Sequence, residues 1–362
     1  MTVPEEITTE WLTGALGRAG VLGEGARVVA ASGDRIGTGQ VARNVRYQLE
    51  YAGGEGPRSV VVKSASPDPT SRAVATQMGL YLREVSFYQE LAPKLGIRTP
   101  RCFHAESDAE THGFVLLMED LTPIEAVDQL TGFGPDHAAL ACAQAVGMHA
   151  PLWGDDWAAA RPWLGGTGGG PGEHAGPEHA TLPLVQLVQG FLERYADALK
   201  PDTRRVIERL GARVLDVTRP RPGPRTVQHG DYRPDNMLFA GRGGEVPLTV
   251  VDWQTVAWGP ALVDIAFLLG TSLGVEARRT HERDLLRDYH AGLCAAGVTG
   301  YGWDECWADY RRHACYAVTF LAPAAMLVQR TDRGDAMFLA ALDRACAQIT
   351  DLESEQLLES SC

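Results

Sequence analysis

The stretch VQHGDYRPDNMLF, residues 227–239, contains His229, Asp231, Arg233, Asp235 and Asn236 close together between two apolar ends. Turns between strands are rich in such residues, so a solvated turn is the simplest interpretation. The residue types also suit chemistry, because a loop carboxylate such as Asp231 can accept or orient a substrate proton. Asn236, from the same loop, offers a neutral oxygen to a metal ion.

A further carboxylate completes a set that would suit phosphoryl transfer. That reaction needs a group to orient the attacking hydroxyl, oxygen ligands for magnesium, cations on the phosphates and a loop over the nucleotide. Asp252 follows the apolar run LTVV, one hairpin after Asn236, and offers a hard oxygen ligand suited to magnesium. The order of Asp231, Asn236 and Asp252 is compatible with this chemistry.

Three motifs resemble the aminoglycoside phosphotransferase and choline kinase-like superfamily, relatives of the protein kinases. HGDYRPDN resembles the catalytic-loop pattern HGDxxxxN, VVDWQ resembles the metal-binding segment, and WGPALVDIAFLL resembles the stretch that follows it. The chain is most similar to the ecdysteroid kinase-like (CHK) branch of small-molecule kinases. The resemblance implies a bilobal α+β fold like that of protein kinases. It also implies magnesium-dependent transfer of the γ-phosphoryl group of ATP to a hydroxyl group of a small molecule.

The same resemblance implies a role for each motif residue. Asp231 would be the catalytic base or would position the hydroxyl, and Asn236 and Asp252 would bind magnesium. His229 would belong to the catalytic set as a support of the loop. Asp264, in the VDIAF segment, would tether that loop by hydrogen bonds.

Arg233 departs from the common residues at its position, which are His in many aminoglycoside phosphotransferases and often Lys in protein kinases. A cation two residues after Asp231 is placed to meet the transferring phosphate, and a planar guanidinium suits phosphate oxygens. The structural alternative is a salt bridge to Asp235 or to another acid.

The N-terminal half would hold the nucleotide. Lys63 ends the apolar run VVVK and resembles the lysine that binds the α- and β-phosphates. Glu84 in LREVSFYQEL resembles its ion-pair partner, with Glu90 as the alternative. The loop IGTGQVARN, which contains Gly37 and Gly39, would cover the phosphates through backbone amides.

FVLLMEDL resembles the hinge between the two lobes, where the backbone from Glu119 to Leu121 would bind adenine. Met118 would contact the base or lie in the core. His149 resembles a family histidine near the lobe interface, but a core histidine is the favoured interpretation. The acceptor pocket would be built from 182–218 and the C-terminal helices.

Hydrophobic patterns predict the architecture around these motifs. Alternating residues from 28 to 62, interrupted by turns, predict a small antiparallel sheet. Helical spacing follows at 71–95, and a strand at 114–121; helices at 136–149, at 182–218 and through most of the C-terminal region complete the pattern. The predicted domains are a nucleotide-clamping lobe at 1–117, a hinge at 118–122 and a catalytic and substrate-binding lobe at 123–362.

Composition narrows the classes of partner. The net charge of −13 argues against nucleic-acid binding and against a polybasic membrane-surface protein. The acidic start lacks the basic region of a secretory signal, and the apolar run at 314–328 is too short and interrupted to predict a membrane span. Seven scattered cysteines fit a reducing cytosol. We therefore expect a cytoplasmic monomer or homodimer.

Other functions are compatible with the same motifs. An aminoglycoside or macrolide antibiotic kinase is one, and a kinase of hydroxyacyl-CoA is another, since similar domains occur fused to acyl-CoA dehydrogenases. A non-catalytic nucleotide-binding pseudokinase is the alternative from a different class. The presence of Lys63, Asp231, Asn236 and Asp252 argues against it. A protein kinase is disfavoured because VVDWQ is followed by no recognisable activation loop.

Overall fold

The computed structural model describes residues 3, 6–37, 41–165, 177–219 and 223–358, with the backbone alone at 177–182. Among these residues, an N-terminal part contains a five-stranded sheet, and the C-terminal part is mostly helical. The predicted α+β class, with a small antiparallel sheet followed by a larger helical region, is confirmed.

The N-terminal sheet is antiparallel and follows a short first helix, α1 (Thr9–Arg18). Its strands are β1 (Arg27–Ile36), β2 (Ala42–Ala52), β3 (Ser59–Ala65), β4 (Cys102–Asp108) and β5 (Gly113–Glu119). They are ordered β1-β2-β3-β5-β4. The sequence patterns missed β4, because every residue of this edge strand is half-buried and none of the apolar alternation of a typical strand is present.

One face of the sheet packs on α1. Leu12 and Leu16 are fully buried there against a group that includes Val60 and Val62 of β3. Since side chains alternate along a strand, Lys63 lies on the opposite face of β3. Because Val60 and Val62 pack against α1, the side chain of Lys63 points away from α1.

The region predicted as one helix at 71–95 is broken. It forms α2 (Pro69–Gln77) and α3 (Leu80–Ser86), followed by a π-helical turn at Phe87–Leu91 and a 3-10 turn at Ala92–Lys94. Gly79 lies between the helices with φ of 68°, a left-handed conformation that glycine adopts at little cost and that interrupts the helical path.

The C-terminal region packs its helices around one core. They are α4 (Pro135–His149), α5 (Asp156–Ala159), α6 (Pro177–Arg194), α7 (Pro201–Gly211), α8 (Val214–Thr218), α9 (Leu262–Ser272), α10 (Val275–Ala295), α11 (Trp303–His313), α12 (Tyr316–Leu327) and α13 (Asp332–Asp351). Every residue of α9 is buried, which makes it the central helix of this region. None of the helices in the described parts of the chain has the length and apolar character needed to cross a membrane.

Two small strand pairs interrupt the helices and frame the polar stretch. β6 (Thr226–Gln228) pairs with β9 (Ala257–Gly259), and β7 (Met237–Gly241) pairs with β8 (Val246–Val250). Residues 229–236 connect β6 to β7, and Asp252 follows β8. The domain boundaries at 117 and 122 lie near the end of β5 and remain a prediction.

Candidate active site

The loop at 229–236, called the catalytic loop below, takes a path that requires glycine at Gly230. This residue has φ of +81°, and a Cβ added to it would lie 2.7 Å from the carbonyl oxygen of Thr255. Backbone conformation and close packing therefore both exclude larger residues. A 3-10 turn at Pro234–Asn236 then leads into β7.

Asp264 anchors this loop from the buried helix α9. Its Oδ2 accepts a hydrogen bond from the N–H of His229 at 2.7 Å, and its Oδ1 accepts one from the N–H of Gly230 at 2.8 Å. The fully buried His149 adds a contact of 3.2 Å to Asp264 Oδ2 and one of 2.7 Å to the hydroxyl of Tyr289. The predicted tether is confirmed, and His149 is a core residue.

Replacing Asp264 with Ala is expected to lower the free energy of unfolding by about 2–5 kcal/mol. The change leaves two buried N–H groups without acceptors, each costing about 1–3 kcal/mol. Asp264→Asn keeps one acceptor oxygen and should lose less. Urea denaturation measures both variants, and a loss below about 1 kcal/mol for the Ala variant would contradict the tether.

His229 supports the loop from within and has no surface exposure. Its Nδ1 accepts a hydrogen bond from the N–H of Asp231 at 3.2 Å, so Nε2 carries the proton and donates to the carbonyl of Val251 at 3.0 Å. Both ring nitrogens are therefore occupied by backbone groups. This geometry gives His229 a structural position rather than one that meets a substrate.

Asp231 and Asn236 are brought together across the loop. The amide nitrogen of Asn236 donates to the backbone oxygen of Asp231 at 2.8 Å and to its Oδ2 at 3.0 Å. Both residues are nearly buried. The bonds orient the Asp231 carboxylate and leave Oδ1 of Asn236 as the acceptor end of the amide.

Arg233 forms an ion pair with Asp231. Its Nε lies 2.9 Å from Oδ1 of Asp231, and its Nη1 lies 3.8 Å from Oδ2 of Asp235. The closer pair makes no directional hydrogen bond, so the contact is electrostatic. Burial lowers the pKa of Arg233, but Asp231 and Asp235 more than offset this effect and raise it, so the guanidinium stays charged. The salt bridge foreseen as an alternative is present and holds a positive charge beside Asp231.

Asp235, to which the motifs assign no role, ties the loop to a distant segment. Its Oδ1 accepts a hydrogen bond from the N–H of Gln129 at 2.9 Å, across 106 positions of sequence. An acidic residue beside a proline in a turn gives no sequence signal for such a partner. Only the packing of the segment before α4 against the loop reveals it.

Lys63 joins two acids that are far apart in sequence. Its Nζ lies 2.7 Å from Glu84 on α3 and 2.9 Å from Oδ1 of Asp252 after β8. The Lys63 and Glu84 side chains are buried, and that of Asp252 is 31% exposed. Glu90 instead lies 3.5 Å from Arg161, so of the two candidates Glu84 is the partner of Lys63.

Burial and charge oppose each other in this cluster. Burial lowers the pKa of Lys63, but Asp252 and Glu84 raise it above its usual value. Burial raises the pKa of Glu84, and attraction to Lys63 reduces that rise. For Asp252, burial raises the pKa, but Lys63 outweighs it, so the pKa falls below its usual value. Lys63 is therefore a charged centre that keeps Asp252 ionised.

Asp252 is held by an aromatic stack that the sequence motifs did not reveal. It has φ of +65°, a left-handed conformation that is unfavourable for a residue with a side chain. The next residue, Trp253, is fully buried and stacks on Phe87, with ring centroids 3.8 Å apart and an interplanar angle of 7°. Its ring also lies 4.7 Å from that of His229. Trp253 thus links the segment after α3 to the catalytic loop.

In the predicted hinge, backbone groups of Glu119 and Leu121 already form hydrogen bonds within the protein. The N–H of Glu119 donates to the carbonyl of Arg101 at 2.9 Å, and the carbonyl of Leu121 accepts from the N–H of Arg242 at 2.7 Å. No described residue accepts a hydrogen bond from the N–H of Leu121. The Glu119 side chain binds Arg98 at 2.5 Å and Arg242 at 2.6 Å, which fixes this segment to the β7–β8 turn.

The glycines of the predicted phosphate-covering loop and Met118 are the remaining candidates. Gly37 follows β1 with φ of +69°, whereas Gly39 lies outside the described residues. Met118 is buried in the core that includes most C-terminal helices. Its thioether is therefore a core group in this structure.

The oxygens of Asn236 and Asp252 fit magnesium better than a softer metal. Oδ1 of Asn236 and Oδ2 of Asp252 accept no hydrogen bond from the residues described, and both are hard ligands. Over the described ranges, no group of three or more His, Cys, Asp or Glu side chains could hold a metal ion. A magnesium ion here would need further oxygens from a bound nucleotide or from water.

Comparison with known proteins shows the family and the fold of the chain. A family model described as "Phosphotransferase enzyme family" matches residues 38–306. No curated protein matches the chain. Among solved structures, the GDP complex of wild-type aminoglycoside 2'-phosphotransferase-IIIa has 14% identity and a TM-score of 0.52, covering 88% of this chain and 94% of its own. Choline kinase from Cryptosporidium parvum Iowa II has 10% identity and a TM-score of 0.52, covering 90% and 91%. At these identities the likeness is one of fold.

Proposed function

The chain belongs to the phosphotransferase enzyme family, and from this premise we propose that it transfers the γ-phosphoryl group of ATP to a hydroxyl group of a small molecule. The observation that carries the proposal is the convergence of Glu84 and Asp252 on the buried ammonium of Lys63. These contacts join β3, α3 and the segment after β8. The three elements thereby supply a cation and two carboxylates of the kind that binding of a nucleoside triphosphate and its metal requires.

Asp231 is the proposed base or positioning group for the acceptor hydroxyl. The bond from Asn236 holds Oδ2, while Oδ1 faces the guanidinium of Arg233 by charge, without a directional hydrogen bond. Arg233 can therefore exchange its contact with Asp231 for one with phosphate oxygens, where it neutralises charge that spreads in the transition state. His229 keeps the loop in place.

Lys63 binds the α- and β-phosphates in this proposal, and Glu84 holds its ammonium in position. Asn236 and Asp252 would hold Mg²⁺. An ion bound there would supply positive charge that neutralises the phosphate oxygens. Because Lys63 lowers the pKa of Asp252, that carboxylate is ionised and ready to bind a cation at neutral pH.

The adenine is proposed to bind along 118–122. Leu121 offers its free N–H, and Glu119, whose own N–H is occupied, could contribute only its carbonyl. Gly37 and Gly39 would belong to the loop over the phosphates. On this view the chain divides into a nucleotide-clamping lobe at 1–117 and a catalytic lobe at 123–362.

Nucleotide binding tests the proposal directly. A non-hydrolysable ATP analogue with Mg²⁺ should raise the melting temperature of the protein, since a ligand at 100 times its Kd adds about 2.7 kcal/mol to stability. EDTA should reduce the shift, and Asp252→Asn should make the shift insensitive to Mg²⁺. Release of ADP from ATP then reports turnover. A protein that neither binds the analogue nor releases ADP would refute the proposal.

For the finer assignment we propose the ecdysteroid kinase-like branch, on the strength of the motifs HGDYRPDN and VVDWQ. Antibiotic phosphorylation and hydroxyacyl-CoA phosphorylation are the enzymatic alternatives, and acceptor assays separate them. A non-catalytic nucleotide-binding role is disfavoured, because Lys63, Asp231, Asn236 and Asp252 are all retained. We further propose a cytoplasmic protein that acts as a monomer or homodimer.

A further inference from the structure

Two C-terminal helices contact the catalytic loop at the residues that flank Asp231. The hydroxyl of Tyr316, at the start of α12, donates to the carbonyl of Gly230 at 2.7 Å. On the other side, Nη1 of Arg233 lies 3.3 Å from Sδ of Met337 on α13. These contacts bring the side chains of α12 and α13 to the catalytic loop on the two sides of Asp231.

The part of α12 that reaches the loop is aromatic. Tyr316 and Phe320 lie one helical turn apart and stack, with ring centroids 5.4 Å apart and an interplanar angle of 24°. Both are half-buried, as is Met337. Phe320 also meets Phe267 of α9 edge to face at 5.5 Å, which fixes its ring. None of the twelve residues of α12 is charged.

Most carboxylates of α13 and of the catalytic loop are already engaged. Asp335 on α13 accepts a hydrogen bond from Tyr195 at 2.6 Å and lies 2.7 Å from Arg330. In the loop, Asp235 accepts a backbone hydrogen bond at 2.9 Å. Over the described residues of α12, α13 and the loop, Asp332, exposed in the first turn of α13, is the one carboxylate without such a partner. A polycationic acceptor would need several free carboxylates.

Resting on the proposed function, we infer that Tyr316, Phe320 and Met337 form a wall of the acceptor site and select an uncharged alcohol carried on an apolar ring. Fixed aromatic rings and a polarisable thioether stack well against such a ring. Arg233 lies between this wall and Asp231, and its positive charge disfavours a cationic acceptor. The reacting hydroxyl would then face Asp231.

The choice of acceptor is tested by measuring ADP release from Mg-ATP by the full chain with four alcohols. Cyclohexanol and decahydro-2-naphthol represent uncharged ring alcohols, and choline and kanamycin represent cationic ones. Release should increase with the ring alcohols, more with the larger one, and stay at the acceptor-free rate with the cations. Stimulation by a cation, or none by either ring alcohol, overturns the inference. Nucleotide binding and acceptor-free ATP hydrolysis report separately on the proposed function.

The wall itself is tested by substitution. Phe320→Ala should raise the KM for decahydro-2-naphthol about tenfold, because it removes a stacking surface that contributes to uniform binding. The KM for ATP should stay constant, which a merely structural loss would not predict. Phe320→Leu keeps apolar volume and should show a smaller rise. Leu140→Ala, at an exposed position of α4, is the matched control and should leave both KM values unchanged. An unaltered acceptor KM in the Ala and Leu variants of Phe320 overturns the assignment.

Discussion

Asp231→Asn is expected to lower the rate of phosphoryl transfer by about 10²–10⁴-fold while nucleotide binding is retained. The substitution keeps the shape of the side chain but removes the carboxylate that would orient or deprotonate the acceptor. Binding should survive because Lys63, Glu84 and Asp252 are untouched. ADP release measures turnover, and thermal shift with a non-hydrolysable analogue measures binding. Undiminished turnover would remove Asp231 from the proposed mechanism.

The matched control for this variant is Asp235→Asn. Asp235 lies in the same loop and also faces Arg233, but at 3.8 Å rather than 2.9 Å. An Asn oxygen can still accept the hydrogen bond from Gln129. Near-normal turnover is therefore expected. If both variants lost activity equally, the loss would reflect the general charge of the loop rather than the Asp231 carboxylate.

Lys63→Met is expected to destabilise the protein by about 3–5 kcal/mol at pH 8, in addition to abolishing turnover. The substitution leaves Glu84 and Asp252 close together without their shared cation, and Glu84 is buried. Since Lys63 lowers the pKa of both acids, its removal raises them in the folded state. A raised folded-state pKa favours folding at low pH and opposes it as pH rises. The difference from the wild type should therefore shrink at pH 5.

Lys200→Met provides the comparison. Lys200 lies 2.7 Å from Asp343, the same distance as Lys63 from Glu84, but its side chain is 72% exposed. An exposed ion pair contributes about 0–1 kcal/mol. Urea denaturation at pH 8 and pH 5 measures both variants. Equal losses for Lys63→Met and Lys200→Met would show that burial does not set the strength of the Lys63 cluster.

The local features of the site follow from nearby sequence. Five positions separate Asp231 from Asn236, and the loop between them forces their side chains together once Gly230 supplies the turn. The alternation of side chains along β3 likewise puts Lys63 on the face opposite Val60 and Val62. The broken helix at 69–91 was harder to predict, because a single glycine within a helical pattern is often tolerated. Strand β4 has no apolar alternation, and only its pairing with β5 defines it.

By itself, the sequence determined the catalytic-loop motif, the α+β class and the residue types available for phosphoryl transfer. Tertiary structure alone decided which distant groups meet: Lys63 with Asp252 across 189 positions, Trp253 on Phe87, and Asp235 with Gln129. Such partners cannot be predicted from spacing, because they depend on how the sheet, α3 and the C-terminal helices pack. The same packing brings Tyr316 and Met337 to the catalytic loop. The eight-residue motif HGDYRPDN does not predict these two contacts.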